Sequence, residues 1–228
     1  MKLSAFLSQM EKIAPASLAE EFDSDRIGLV VEGTEDIGVV AAALDPTLKV
    51  VQSAANLGAD MLVVHHTPLF TPVTRIMGRT ARILKILLGN DMNLFVMHTN
   101  FDHAENGIND ALADQLELTD RRRMSLGIVG DCHLGIDELN ERLGCGLRVH
   151  GTISTYKRVA VVGGSGFSPD RMDEAVRLGA EVFISSEMKH SIGRHIPLPC
   201  IEATHYALES PGMKALAGRM GWTYIEDP

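Results

Sequence analysis

An internal repeat constrains the fold of this chain more than any other feature of its sequence. Residues 39–64 and residues 159–184 carry the same features in the same order. Each segment begins with an apolar run, passes through a capping residue and a proline into a helix, and ends with a glycine and a short buried strand. The capping pairs are Asp45-Pro46 and Ser168-Pro169. Strands that alternate with helices predict parallel strand pairs with helical cover.

The repeat continues with a histidine and an acid four residues apart. A third strand is predicted over 93–97 in the first half and over 200–203 in the second. The residues that follow these strands are His98 with Asp102 and His205 with Glu209. A glycine and a further helix come next, and these helices are predicted over 108–116 and 213–220. Two unrelated units could share these features by chance, but the common order favours an internal duplication.

Two more histidines, His65 and His66, follow the buried strand of the first half. Ligands of α/β sheets bind beyond the carboxyl ends of the strands. Imidazole and carboxylate groups without thiolate suit Zn, Mn, Fe, Co or Ni. Four histidines and two acids exceed the needs of one four-coordinate ion and suit two ions that share a bridging carboxylate. The alternative is that each histidine is a separate, satisfied polar group at a strand end.

We therefore predict an α/β fold of two similar α/β units, with mixed or parallel sheets, helical cover and a metal site between them. The N-terminal domain is expected over 1–123 and the C-terminal domain over 124–228. Residues 203–228 are expected to pack back against the first domain at the metal site. A length of 228 residues is sufficient for two small domains.

Composition argues against several classes of function. Aspartate and glutamate total 30 against 21 lysines and arginines, and the resulting net charge of −9 disfavours binding to nucleic acid. We expect no membrane partner, because the apolar runs are far shorter than the ~20 residues that cross a bilayer. The N-terminal apolar run ends at Glu11, too early for a secretory signal. Three widely spaced cysteines predict no disulfide framework, so a cytoplasmic location is expected.

Several segments carry a close resemblance to one known family. They are residues 59–70, which contain HHTPLF, residues 98–102 with Gly107, Asn109 and Asp110, and residues 203–212, with the sequence ATHYALESPG. Together they resemble the NGG-interacting-factor-three-like family, whose members are often labelled GTP cyclohydrolase type 2 homologues. The segment Asp25–Leu29 is similar to the DNxGL motif of that family, with Arg26 where asparagine is usual. Gly163–Gly166 resembles its mid-chain glycine loop.

The resemblance implies a dinuclear centre that holds two divalent metal ions, which would be Zn, Fe, Mn, Co or Ni. The implied ligands are His65, His66, Asp102, His205 and Glu209, with one or both acids bridging. His98 matches a histidine beside that centre, where it would contact the site or transfer a proton. The resemblance also implies two similar α/β domains and a homohexamer.

Three features have both a functional and a structural interpretation. Glu187, which the repeat places opposite His66, is a candidate general base or partner of a metal ligand, or else an acid that caps a loop. Ser186 replaces the glycine that precedes this acid in the family. The functional interpretation of Gly163–Gly166 is a contact with a phosphate group, and the structural one, which we favour, is a tight turn between a strand and a helix. A basic stretch follows the histidine pair, and it would either attract an anionic substrate or, as we favour, form a solvated helix face. Its residues are Arg75, Arg79, Arg82 and Lys85.

Two functions are compatible with these motifs. The first is a metal-dependent hydrolase that acts on a nucleotide or phosphorylated small molecule, either GTP cyclohydrolase type 2-like by resemblance or a phosphoesterase. The second is a metal-trafficking or regulatory protein that binds iron or zinc without physiological turnover. A pure interaction scaffold is a third possibility, but the acidic sequence offers no specific partner surface.

Overall fold

The computed structural model describes residues 1–23 and 25–228, which form a mixed α/β structure with two sheets. The α-helices of the described residues are α1 (Leu3–Ile13), α2 (Leu48–Asn56), α3 (Gly78–Gly89), α4 (Thr99–His103), α5 (Ile108–Gln115), α6 (Ile136–Leu143), α7 (Pro169–Arg177), α8 (His190–Gly193) and α9 (His205–Met220). The strands are β1 (Gly28–Val31), β2 (Val40–Ala43), β3 (Met61–Val64), β4 (Asn93–Val96), β5 (Thr119–Arg123), β6 (Ile128–Asp131), β7 (Arg148–His150), β8 (Arg158–Val161), β9 (Val182–Ser185), β10 (Cys200–Glu202) and β11 (Thr223–Tyr224). Two compact units are present: unit 1 contains Met1–Glu105 and Met213–Pro228, and unit 2 contains Asn106–Gly212.

Unit 1 is built on a five-stranded sheet in the order β1-β4-β3-β2-β11. β2, β3 and β4 are parallel neighbours, β11 adds parallel to β2, and β1 adds antiparallel to β4. All residues of β3 and β4 are buried, as expected for parallel strands covered on both faces. Val51 of α2 and Leu87 of α3 pack with Leu62 and Val64 in the core, so these helices cover one face.

Unit 2 is built on a six-stranded sheet in the order β5-β6-β8-β9-β10-β7. Its centre repeats the plan of unit 1, because β8, β9 and β10 are parallel and α7 connects the first two. Ser168 caps α7 as predicted and its hydroxyl accepts the N–H of Arg171 at 3.3 Å. The outer strands β5, β6 and β7 pair antiparallel. The predicted α/β fold with mixed sheets and helical cover is therefore confirmed.

Two local predictions were wrong. Asp45 does not cap α2, because the helix begins at Leu48 and the hydroxyl of Thr47 accepts the N–H of Val50 at 3.1 Å. The last helix begins at His205, eight residues before the predicted start at Met213, and it continues through Pro211. A proline removes one helical hydrogen bond, but buried apolar side chains on both sides of it keep this helix in place. These are Leu208, Met213, Leu216 and Ala217.

The predicted boundary between residues 123 and 124 concerns the duplicated halves of the sequence, and it stays a prediction. Residues 124–212 fall in unit 2 together with residues 106–123, while residues 213–228 belong to unit 1. The last of these segments joins unit 1 through the pairing of β11 with β2. Among the described helices, none combines the length and apolar character required to cross a membrane.

Candidate metal centre

Three histidines of unit 1 meet where two parallel strands end. His65 and His66 follow β3, and His98 follows the neighbouring strand β4. The ring centroid of His65 lies 4.9 Å from that of His66 and 5.1 Å from that of His98, and the centroids of His66 and His98 are 5.6 Å apart. Each residue has a nitrogen within 4.8 Å of the corresponding nitrogens of the other two. The cluster could therefore hold a metal ion.

The Nδ1 atoms of His65 and His66 are held by oxygen acceptors. His65 Nδ1 donates to the carbonyl oxygen of Met97 at 2.7 Å, and His66 Nδ1 donates to Asp45 Oδ1 at 2.8 Å. In a neutral imidazole this arrangement places the lone pair on Nε2. Metal-binding histidines usually have such a partner on the second nitrogen, which fixes the tautomer and the orientation of the ring.

His98 is held in the same way by a fully buried acid. Its Nδ1 donates to Asp23 Oδ2 at 2.9 Å, and the same oxygen accepts the N–H of Thr99 at 3.1 Å and its hydroxyl at 2.7 Å. Burial alone would raise the pKa of the Asp23 carboxyl, but the hydrogen bonds from His98 and Thr99 hold it below its usual value. A charged Asp23 can therefore fix the orientation of His98.

Asp102 adds a carboxylate to this group of histidines. It lies in α4, one turn after His98, and its Oδ1 is 3.5 Å from Nε2 of His65. Only 10% of its side chain is exposed. The spacing of four residues in the sequence motif thus has a structural reason: His98 stands at the N-cap of α4, and the acid projects from the next turn.

Unit 2 contains the second histidine and acid pair, on the first turns of α9. His205 Nε2 lies 2.9 Å from Glu209 Oε2, which is four residues further along the helix. Oε1 of Glu187 accepts a hydrogen bond from His205 Nδ1 at 2.7 Å. With its proton on Nδ1, His205 turns a lone pair toward the carboxylate of Glu209, and a bound cation would stabilise two such electron donors side by side.

Glu187 occupies an unusual backbone conformation, with φ of 61°. For a residue other than glycine, asparagine or aspartate, this left-handed region carries a cost of roughly 1–2 kcal/mol. Its side chain is 59% exposed, yet its carboxylate holds His205. Strained residues of this kind concentrate at functional sites, and the contact makes Glu187 a partner of His205.

The glycine loop Gly163–Gly166 packs against the same pair. Gly164 has φ of +64°, and a Cβ added there would lie 2.1 Å from Glu209 Oε1 and 3.1 Å from His205 Nε2. The carbonyl oxygen of Gly164 accepts hydrogen bonds from both the N–H and the hydroxyl of Ser186, at 3.0 and 2.7 Å. These contacts explain the loop as a tight turn that lets the backbone approach Glu209 and His205.

The donor chemistry of both groups fits a borderline or hard divalent metal ion. The available atoms are imidazole nitrogens and carboxylate oxygens, which suit Zn, Mn, Fe, Co and Ni. Two of the other histidines have separate roles, since His103 pairs with Glu20 at 3.2 Å and His150 pairs with Glu202 at 2.9 Å. His190 lies exposed at the start of α8.

Sequence reasoning missed the two acids that hold His98 and His66. Asp23 is separated from His98 by 75 residues and Asp45 from His66 by 21, so no local spacing connects them. Asp45 did carry a usable signal, because it comes two residues after the end of the buried strand β2 and therefore reaches the same sheet edge as His66.

A family model described as Duf34/NIF3 (NGG1p interacting factor 3) matches residues 1–224 of this chain. A relative from Streptomyces coelicolor, named GTP cyclohydrolase 1 type 2 homolog, is 33% identical, and the match covers 97% of this chain and 88% of the relative. A Methanocaldococcus jannaschii relative of the same name is also 33% identical, with 94% and 92% coverage. The solved structure of reduced HcgD from Methanocaldococcus jannaschii has a TM-score of 0.84 and 30% identity, with 99% and 97% coverage. These matches confirm the resemblance stated from the motifs.

Proposed function

Because the chain belongs to the Duf34/NIF3 family, we propose that it binds two divalent metal ions and hydrolyses a nucleotide or another phosphorylated small molecule. His65, His66, Asp102, His205 and Glu209 would hold the two ions. One observation carries this proposal. Each histidine of the set directs Nδ1 to an oxygen acceptor, at 2.7 to 2.8 Å, and so presents Nε2 for a metal ion.

The remaining polar residues have distinct roles in this proposal. When bound, divalent ions at such a site supply Lewis acidity, which polarises a phosphoryl or carbonyl oxygen and makes water more acidic. His98 keeps its Nδ1 proton toward Asp23, so its Nε2 is the atom that accepts a proton from water and returns it to the leaving group. Glu187 acts as a positioning residue, because its carboxylate fixes the ring of His205.

The substrate class follows from the names of relatives and stays a proposal. Two relatives at 33% identity are named GTP cyclohydrolase 1 type 2 homolog, which directs the search toward purine nucleotides. A phosphoesterase would use the same side chains, so the assay should include GTP and simple phosphomonoesters.

A second function, reversible binding of iron or zinc without turnover, is favoured by one observation. The side chains of His66 and His205 remain 24% and 31% exposed, and partly exposed ligands allow an ion to exchange. A protein that binds and releases metal rapidly, and hydrolyses none of the substrates faster when loaded than when stripped, would be a carrier.

Elemental analysis of the purified protein and of two ligand variants tests the metal centre. Loss of a residue that is hydrogen-bonded to a metal ligand typically weakens metal affinity about 10- to 100-fold. We expect His66→Ala and Glu209→Gln, which remove ligands themselves, to weaken it at least as much. His133→Ala, at an exposed histidine, is the matched control and should keep the metal. Metal content that is the same in all three variants would refute the ligand assignment.

We also propose that the chain assembles as a homohexamer and resides in the cytoplasm. Support for assembly comes from an exposed apolar segment between β3 and α3, where Phe70, Val73, Ile76 and Met77 are 47% to 71% exposed. Exposed apolar patches commonly mark protein interfaces. Light scattering coupled to gel filtration should give the mass of six chains of 228 residues, and a monomer mass would refute the assembly.

A further inference from the structure

A cavity of 260 Å³ opens directly beside His66 in unit 1. Its wall includes His66 with the adjacent Thr67, both at the end of β3, and Arg79 with Thr80 in the first turn of α3. Asp45, whose carboxylate holds Nδ1 of His66, completes the polar part of the wall. A group in this cavity would therefore lie next to a proposed metal ligand.

The wall of this cavity offers hydrogen-bond donors suited to an anion. The hydroxyl oxygen of Thr67 accepts the N–H of Leu69 at 3.1 Å, so its proton is available to donate into the cavity. Arg79 carries a planar guanidinium with five donors, a group that binds phosphate and carboxylate in a bidentate manner. The acid in the wall, Asp45, directs its Oδ1 to Nδ1 of His66.

The structure also separates Arg79 from the other basic residues near it in the sequence. Arg75, Arg82 and Lys85 lie within the same short stretch, but among the described residues Arg79 is the cation in this cavity wall. Hydrogen bonds from Lys49 and Thr47 lower the pKa of Asp227, and the charge of Arg79 lowers it further. Arg79 lines the cavity, and its acidic neighbour Asp227 is already bound to Lys49 at 2.8 Å.

The size of the cavity limits what it can hold. Pockets that enclose a whole small-molecule ligand have volumes of about 300–1,000 Å³, and this one is smaller. A phosphate group fits such a space, and the rest of a nucleotide would extend outside it. The polar wall and Arg79 favour that group over an apolar one.

We propose that this cavity is the subsite for a phosphate group of the substrate, with Arg79 as the specificity-determining residue and Thr67 and Thr80 as additional donors. The inference rests on the proposed function in one respect only, that the reacting centre lies at His66. Binding of phosphate to Arg79 does not itself require a metal ion, so the two proposals can be tested separately.

Arg79→Gln and Arg82→Gln are the matched pair for the test. Both arginines lie in α3 and both are exposed, but only the first lines the cavity among the described residues. The probe is inorganic phosphate, titrated by calorimetry into full-length protein stripped of metal with a chelator and into metal-loaded protein. Elemental analysis and thermal unfolding of each variant accompany the titrations.

We expect Arg79→Gln to weaken phosphate binding about 10- to 100-fold, the effect of losing a charged hydrogen-bonding partner, in stripped and loaded protein alike. Arg82→Gln should change it less than about twofold, and neither variant should lose metal or stability. The proposal is overturned if wild-type protein binds no phosphate in either state, if both variants bind it like wild type, or if Arg79→Gln acts only through loss of metal. Absence of metal from the wild-type protein would instead count against the proposed function, since phosphate binding in stripped protein remains measurable.

Discussion

Replacement of Gly164 by alanine tests whether the glycine loop determines the position of the acid and histidine of unit 2. The added Cβ would lie 2.1 Å from Glu209 Oε1, whereas Cβ atoms in real structures essentially never approach another atom closer than 3.0 Å. The Glu209 carboxylate would therefore have to move by about 1 Å, while metal–ligand distances tolerate only about 0.2 Å. We expect metal binding to weaken by at least about 10-fold.

The backbone cost of this change can be measured separately. Gly144, also in unit 2, has φ of +62°, but a Cβ added there meets no atom within 4 Å. Gly144→Ala therefore carries only the left-handed backbone cost of roughly 1–2 kcal/mol, while Gly164→Ala carries that cost plus the steric conflict. Urea unfolding of stripped protein compares the free energies of unfolding, and calorimetric titration with zinc compares the metal affinities.

We expect zinc affinity to fall in Gly164→Ala and to stay unchanged in Gly144→Ala. If Gly164→Ala binds zinc as tightly as the wild-type protein and loses no more stability than Gly144→Ala, then the close approach to Glu209 has no functional consequence. The interpretation of the glycine loop as the support of the candidate metal centre would then be refuted.

Two further predictions concern residues outside the candidate metal centre. Burial alone would raise the pKa of Glu202, but hydrogen bonds from the His150 side chain and the Met188 backbone N–H hold this pKa below its usual value. Ionised Glu202 therefore stabilises the folded protein above about pH 4.3, the pKa in the unfolded chain. This stabilisation is lost as the pH falls through the lower pKa of the folded state. Glu202→Gln should therefore reduce the free energy of unfolding by about 1 kcal/mol at pH 7. Urea unfolding at several pH values should show that the difference between the variant and the wild-type protein shrinks below about pH 4. A difference that is independent of pH would contradict the lowered pKa of Glu202. Burial raises the pKa of the Cys200 thiol to about 12, so a thiol reagent at pH 8 should label the partly exposed Cys145 in native protein and Cys200 only after unfolding. Rapid native labelling of Cys200 would disprove its burial.

Local sequence patterns determined a large part of this protein. The short buried strands predicted at the ends of residues 39–64 and 159–184 correspond to β3 and β9, and Ser168 caps α7, because strand and helix signals depend on residues close in sequence. The histidines and acids of the motifs were identified in the same way, since each His-x-x-x-acid pair spans one helical turn of α4 or α9.

Tertiary structure decided the features that depend on distant residues. The partners of His98 and His66 are Asp23 and Asp45, 75 and 21 residues away, and only the folded chain brings these acids to the sheet edge. The need for glycine at 164 likewise comes from the side chain of Glu209 rather than from its neighbours in sequence. The sequence therefore determined which groups could bind metal, while folding decided which atom of each histidine is available, because that depends on hydrogen bonds between segments far apart in the chain.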